Sequence, residues 1–174
     1  MSLMPSDNPG TSYGGNPSDY LWDNNSLWSG NDAFGYHSGE NAVPGHFTID
    51  LGVTTQLTKC KLHFRDPNNF SGNNPTQLEI WGRPTLEDAE TLPVFQSVGN
   101  TVLSDPVSTE SFENSGWQLL ADQSIDGGGL QNIEFDLPSG PFSRYIRLRY
   151  TSTVGNQAFQ LIEVELSGYG AITN

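Results

Sequence analysis

Trp28, Tyr36, His37, Arg65, Asn68, Asn69, Phe70 and Phe159 stand in loop-like stretches or at the ends of short apolar runs. Together they suit one chemistry. Aromatic rings stack on the apolar face of a pyranose, and planar polar groups meet its hydroxyls. Arg and Asn offer parallel hydrogen-bond groups to a vicinal hydroxyl pair. Loops on a rigid scaffold are where such groups usually sit.

Other chemistries lack their residues. The Gly-rich turn Asp126–Gly129 is not followed by the Lys-Ser/Thr of a phosphate loop, and no Gly-x-Ser-x-Gly elbow occurs. The single cysteine, Cys60, excludes thiolate metal sites and an internal disulfide. Flanked by Leu62 and Phe64 at strand spacing, it reads as a small buried hydrophobe. His37, His46 and His63 stand at no helical metal spacing. Carboxylates are plentiful, but a glycosidase pair needs a deep cleft, and no acidic motif marks one. The chain is therefore read as non-enzymatic.

The 174 residues carry 20 acidic and 7 basic side chains, a net charge of −13. Five Arg and two Lys cannot make the basic patch of a nucleic-acid binder, and an anionic membrane surface is disfavoured for the same reason. No apolar run is long enough to span a bilayer. Met1–Ser2–Leu3 reads as an added leader, so residues 1–11 are expected to be leader and tail, 12–170 one domain and 171–174 a short tail. Cysteine usage leaves a periplasmic, outer-membrane-surface or secreted bacterial location open.

The elements that must position these residues are short strands. Gly 19, Pro 11 and fifteen Asn punctuate the chain at turns. In His46–Leu51, Phe47, Ile49 and Leu51 alternate with His46, Thr48 and Asp50, the period of a half-buried strand, and Gly52 is expected to end it. Lys59–Arg65 repeats the pattern, with Cys60, Leu62 and Phe64 inward. Further strands are expected at Gln77–Trp81, Trp117–Leu120, Leu130–Leu137, Arg144–Tyr150 and Gln160–Leu166, with one short helix at Pro84–Leu92. Trp22, Trp81 and Trp117 are expected in the core, and Arg147 and Arg149 on a solvated strand face. Many short strands and almost no helix give an all-β class, an antiparallel sandwich or jelly roll.

Several segments resemble the discoidin, or coagulation-factor type C, family. Tyr20–Asn25 resembles its Leu-x-Asp-Gly-Asp/Asn loop, and Pro44–Gly52 its Pro-x-x-Phe-x-Ile-Asp-Leu-Gly strand. Leu62–Arg65, Leu78–Gly82 and Trp117–Leu120 are similar to the strands that follow, and Arg144–Leu148 and Ile162–Gly170 to the last two signatures. The resemblance covers roughly residues 12–170. It implies a galactose-binding-like jelly roll. It also implies a carbohydrate-binding module of the kind joined to glycosidases, chitobiases among them, or carried on Bacteroidetes surface lipoproteins.

The resemblance implies two sites. One is a structural Ca²⁺ held by Asp23, Asn25, Ser26 and Glu163, hard oxygen donors of the kind this ion takes. Asn24 stands where the family has Gly, and neutral Asn25 lowers the charge; a metal-free turn capped by Asp23 is the competing reading. The other is a glycan site of His37, Arg65, Asn69 and Phe159, with Phe70 beside it and Trp28 as a stacking platform. Against this stand an Arg65 paired with Asp66 or Asp50, an exposed loop His37, and a Trp28 packed under its own loop. The implied ligand is a terminal or short neutral glycan, galactose-type or N-acetylated, bound by a domain attached to a larger chain. The alternative is a protein-interaction or scaffold domain of a surface lipoprotein without its own sugar site.

Overall fold

Alternating apolar residues build two antiparallel sheets that share one long strand. The computed structural model describes residues 7, 8, 10, 21–24, 35–70, 72–86, 96–98, 101–104, 109–138, 140–155 and 158–172, with backbone alone at 69–70, 96–98, 101–104, 109–111 and 171–172. In chain order the elements are β1 (Tyr36–His37), β2 (Gly45–His63), α1 (Pro67–Phe70), β3 (Pro75–Arg83), β4 (Gln96–Val98) and β5 (Thr101–Ser104). Then come α2 (Thr109–Asn114), β6 (Gln118–Ser124), β7 (Asn132–Asp136), β8 (Ser143–Thr153), β9 (Gln160–Leu161) and β10 (Glu163–Ile172). The expected helix at Pro84–Leu92 falls largely outside the described residues, and 84–86 are not helical.

The shared strand is β2. Its first half pairs with β8, which continues to β3 and β6. Its second half lies between β10 and β7. Gly52 therefore does not end a strand but bends one. It adopts φ +73°, a left-handed conformation that suits glycine, and the register with β8 shifts between Asp50 and Thr55. This is the jelly-roll sandwich expected from the alternation.

The core lies between the sheets. Phe47, Ile49, Leu78, Ile80, Leu148 and Tyr150 from the larger sheet meet Cys60, Leu62 and Val164 from the smaller. Each such side chain contributes about 1.5–3 kcal/mol by leaving water. Burial also pushes the Cys60 thiol up, so it stays neutral.

The outer face of the larger sheet is covered too, which corrects the expectation of a solvated face. Arg147 is fully buried and Arg149 nearly so, as are His46 and Thr48. Phe112 of α2 packs with Trp81 and Trp117 over this face. The Arg147 guanidinium lies 4.2 Å from the Trp117 ring and 4.9 Å from the Phe112 ring. Arg149 donates to both Glu79 oxygens at 3.1 Å, and Trp81 Nε1 donates to Glu79 Oε2 at 2.9 Å. Thr48 Oγ1 donates to Asp7 Oδ1 at 2.7 Å, and Arg147 reaches the same carboxylate at 3.6 Å. Trp81 and Trp117 are core as expected; Trp22 is not, being 42% exposed.

Asp7 and Asn8 are 3% and 2% exposed, so both belong to the fold and not to a tail. Asn8 sits where Gly45 comes close to the Tyr150 hydroxyl; a Cβ on Gly45 would collide with that oxygen.

Candidate functional site

One end of the sandwich is built by the short ladder of β1 on β9. The register sets Tyr36 opposite Leu161 and His37 opposite Gln160. Side chains alternate across a strand, so Tyr36 and Leu161 enter the core while His37 and Gln160 share the other side. The ladder is extended by Ser38 N donating to Phe159 O at 2.9 Å and Phe159 N donating to Ser38 Oγ at 2.8 Å.

Arg65 follows the end of β2. Its Nη1 donates to Gln160 Oε1 at 2.8 Å. The backbone beneath it is clamped by Asn74: Arg65 N donates to Asn74 Oδ1 at 3.2 Å, and Asn74 Nδ2 donates to Arg65 O at 2.9 Å and to Gly127 O at 3.0 Å. Asn73 closes the group. Its carbonyl accepts from Gln160 N at 2.9 Å, and its side-chain amide lies 3.2 Å from His37 Nε2.

His37 is held in one protonation state by these contacts. Gly39 N donates to Nδ1 at 3.0 Å, so Nδ1 must offer a lone pair. The neutral ring then carries its proton on Nε2; the Asn73 atom that faces it is Nδ2, so a half-turn of that amide is needed for its oxygen to accept this proton. Burial, and after it the Arg65 charge, holds the His37 pKa below the ordinary histidine value, with Glu40 opposing. Burial also lowers Arg65, but a guanidinium remains charged. The result is one cation, one neutral imidazole and two amides converging at a loop end. Such a set offers donors and acceptors to a polar, uncharged ligand.

Of the residues named from sequence, His37 and Arg65 are brought together, through Gln160 and Asn73. Phe159 has a different place. Its ring is fully buried and stacked on Tyr150, centroids 4.2 Å apart and planes within 3°. It is a core ring under the ladder and cannot serve as a solvent-facing platform. Asn69 and Phe70 lie in α1, directly after the Asp66 turn, where Asn68 N donates to Asp66 Oδ1 at 2.9 Å; their side chains lie outside the described set. Trp28 also lies outside the described residues.

At the implied calcium site, Asn25 and Ser26 lie outside the described residues, Asp23 is exposed, and Glu163 is 4% exposed. Val164 N donates to Leu21 O at 2.9 Å, which draws the Asp23 loop against the start of β10. Asp23 and Glu163, the two described members of the implied set, carry the hard carboxylate oxygens that Ca²⁺ takes. Among the described residues, no three His, Cys, Asp or Glu gather closely enough to hold a metal by themselves.

Gln160, Asn73 and Asn74 were not singled out by sequence. Only two signals pointed there: the polar residue between Phe159 and Leu161, and the second Asn pair of the loop before Pro75.

Several solved structures share this fold. A SusE-like protein superposes with a TM-score of 0.68 at 23% identity, over 97% of this chain and 94% of that one. The C-terminal domain of a chitobiase from Bacteroides fragilis gives a TM-score of 0.59 at 15% identity, over 99% and 93%. A CBM32 module from Clostridium perfringens, solved with GalNAc-β-1,3-galactose, gives 0.58 at 12% identity, over 95% and 91%. None of the curated proteins matches the chain. The galactose-binding-like fold implied by the discoidin resemblance is the fold found. The family profile that matches is a different one, described as a domain of unknown function, and it covers residues 22–170. The chain therefore belongs to the DUF5000 family.

Proposed function

We propose that the protein is a non-catalytic carbohydrate-binding module whose site is the β1–β9 loop end. The observation that carries this is the meeting of Arg65 and a neutral His37 across Gln160. Arg65 offers parallel N–H groups to a vicinal hydroxyl pair, and His37, Gln160 and Asn73 supply the remaining donors and acceptors. A neutral amide, Gln160, orients the Arg65 guanidinium through Nη1. A terminal or short neutral glycan, galactose-type or N-acetylated, fits this set. The ligand of the similar Clostridium module has the same chemistry. Asn69, Phe70 and Trp28 are the further sugar contacts of this proposal, and a ring among them would supply the stacking face that Phe159 does not offer.

The −13 charge disfavours acidic glycans and nucleic acid as partners. Among the described residues no helix is long and apolar enough to cross a membrane. The similar structures belong to a SusE-like protein and to parts of glycan-processing enzymes, which supports a module attached to a larger bacterial surface or secreted protein, a lipoprotein among the candidates. Attachment would supply the avidity that a shallow site lacks. Ca²⁺ held by Asp23, Asn25, Ser26 and Glu163 would tie the Asp23 loop to β10 in a structural role.

A glycan-array screen of the wild type beside Arg65→Ala tests the function. Binding of neutral galactose-type or N-acetylated glycans by the wild type, lost in the variant, is expected. No binding by the wild type, or equal binding by both, overturns it.

A further inference from the structure

We propose that Asn8 is a positioning residue for the glycan site, holding the β1–β9 ladder from behind. This rests on the reading of that loop end as a glycan site. Asn8 lies far from His37 in sequence, yet every polar group of Asn8 is engaged. Its N–H donates to His46 O at 2.8 Å, and its carbonyl accepts from the Tyr36 hydroxyl at 3.1 Å. Its Nδ2 donates to Ser38 O and to the Tyr150 hydroxyl, both at 3.0 Å, and its Oδ1 accepts from Gly10 N at 2.9 Å.

These partners are the residues on which the site stands. Ser38 follows His37 and exchanges two hydrogen bonds with Phe159, the neighbour of Gln160. Tyr36 precedes His37, and Tyr150 carries the Phe159 ring. Asn8 thus fixes both residues that flank His37 and the ring beneath Gln160, without touching either side chain of the site. A two-residue ladder has little cooperativity of its own, so its geometry depends on such external ties. Asp7 anchors the strap in the buried cluster through Thr48 and Arg147, which keeps Asn8 in place.

The test compares Asn8→Ala with the wild type by amide hydrogen exchange without ligand and by glycan binding. Exchange at Ser38 and Phe159 is expected to rise about tenfold while Leu148 and Ile80 stay protected, and the glycan Kd is expected to rise about tenfold. Unchanged exchange at Ser38 and Phe159 overturns the proposal. So does a uniform rise through β2, β3 and β8, which would make Asn8 an ordinary stabilising residue. A wild type that binds no glycan, together with the local exchange change, leaves the hold of Asn8 on the ladder standing and removes the glycan reading. Should Asn8→Ala not fold, Asn8→Asp keeps the oxygen for Gly10 and can accept from Tyr150, but loses the donor to Ser38. It is expected to give the same local change.

Discussion

Arg65 and Gln160 are joined by a 2.8 Å hydrogen bond, and through it a guanidinium at the end of β2 is held against the strand that pairs with His37. The bond orients the Arg65 guanidinium relative to His37 and Gln160. Gln160→Ala is expected to weaken glycan binding about tenfold, the worth of one charge-assisted hydrogen bond, about 1.5 kcal/mol. Isothermal titration would measure this. Affinity equal to the wild type would mean that Arg65 needs no such tether.

His37 sets a pH limit. Its folded pKa lies below the ordinary value of 6.5 because burial and Arg65 disfavour the imidazolium. The unfolded chain then binds this proton more readily than the folded one. The stability contributed by neutral His37 is full above 6.5 and is lost as pH falls through the lower folded value. Glycan affinity is expected to be flat above that range and to fall below it, because protonation of Nδ1 breaks the bond from Gly39. Titrations of binding against pH for the wild type and His37→Gln check this. A wild-type profile that rises on acidification contradicts it.

The buried and exposed ion pairs should differ sharply. Glu79→Ala leaves Arg149 buried without its carboxylate and frees the Trp81 indole. It is expected to cost about 3–5 kcal/mol in denaturant unfolding. The Lys59–Glu134 pair is exposed and screened by solvent, and Glu134→Ala is expected to leave the unfolding midpoint nearly unchanged. Similar losses from both would mean that the covered outer face is not dry.

Calcium removal gives a separate readout. Chelator is expected to lower the melting temperature of the wild type and not that of Glu163→Gln. An unchanged wild-type melting temperature ends the metal proposal and leaves the glycan site untouched.

Much of the architecture was legible because one physical signal carries it. Phe47, Ile49, Cys60, Leu62, Ile146 and Leu148 alternate with polar residues, and alternation marks strands whatever their partners. Alternation does not say whether the second face meets water. His46, Thr48, Arg147 and Arg149 have the sequence pattern of an exposed face, and the packing of Phe112, Trp81, Trp117 and Asp7 over them makes it interior. A glycine inside a run signals a break, and whether the strand stops or bends at Gly52 depends on the sheets at either side. At the site, an Arg at a strand end and a loop His are distinctive, and they do converge. Gln160, Asn73 and Asn8 are amides in a chain rich in amides, so their residue type does not set them apart, and only position hints at the first two. Phe159 is an aromatic near a loop, a pattern shared by binding platforms and core rings; its stacking on Tyr150 makes it the second.

The central claim is that sugar binds where His37, Arg65, Gln160 and Asn73 meet. An NMR titration of the labelled protein with galactose and with N-acetylgalactosamine tests it most directly. Saturable shifts confined to the amides of His37, Arg65, Asn73 and Gln160, together with the Arg65 side chain, are expected for at least one sugar. Shifts centred on another surface, or none with either sugar or with any glycan the array selects, would contradict the account.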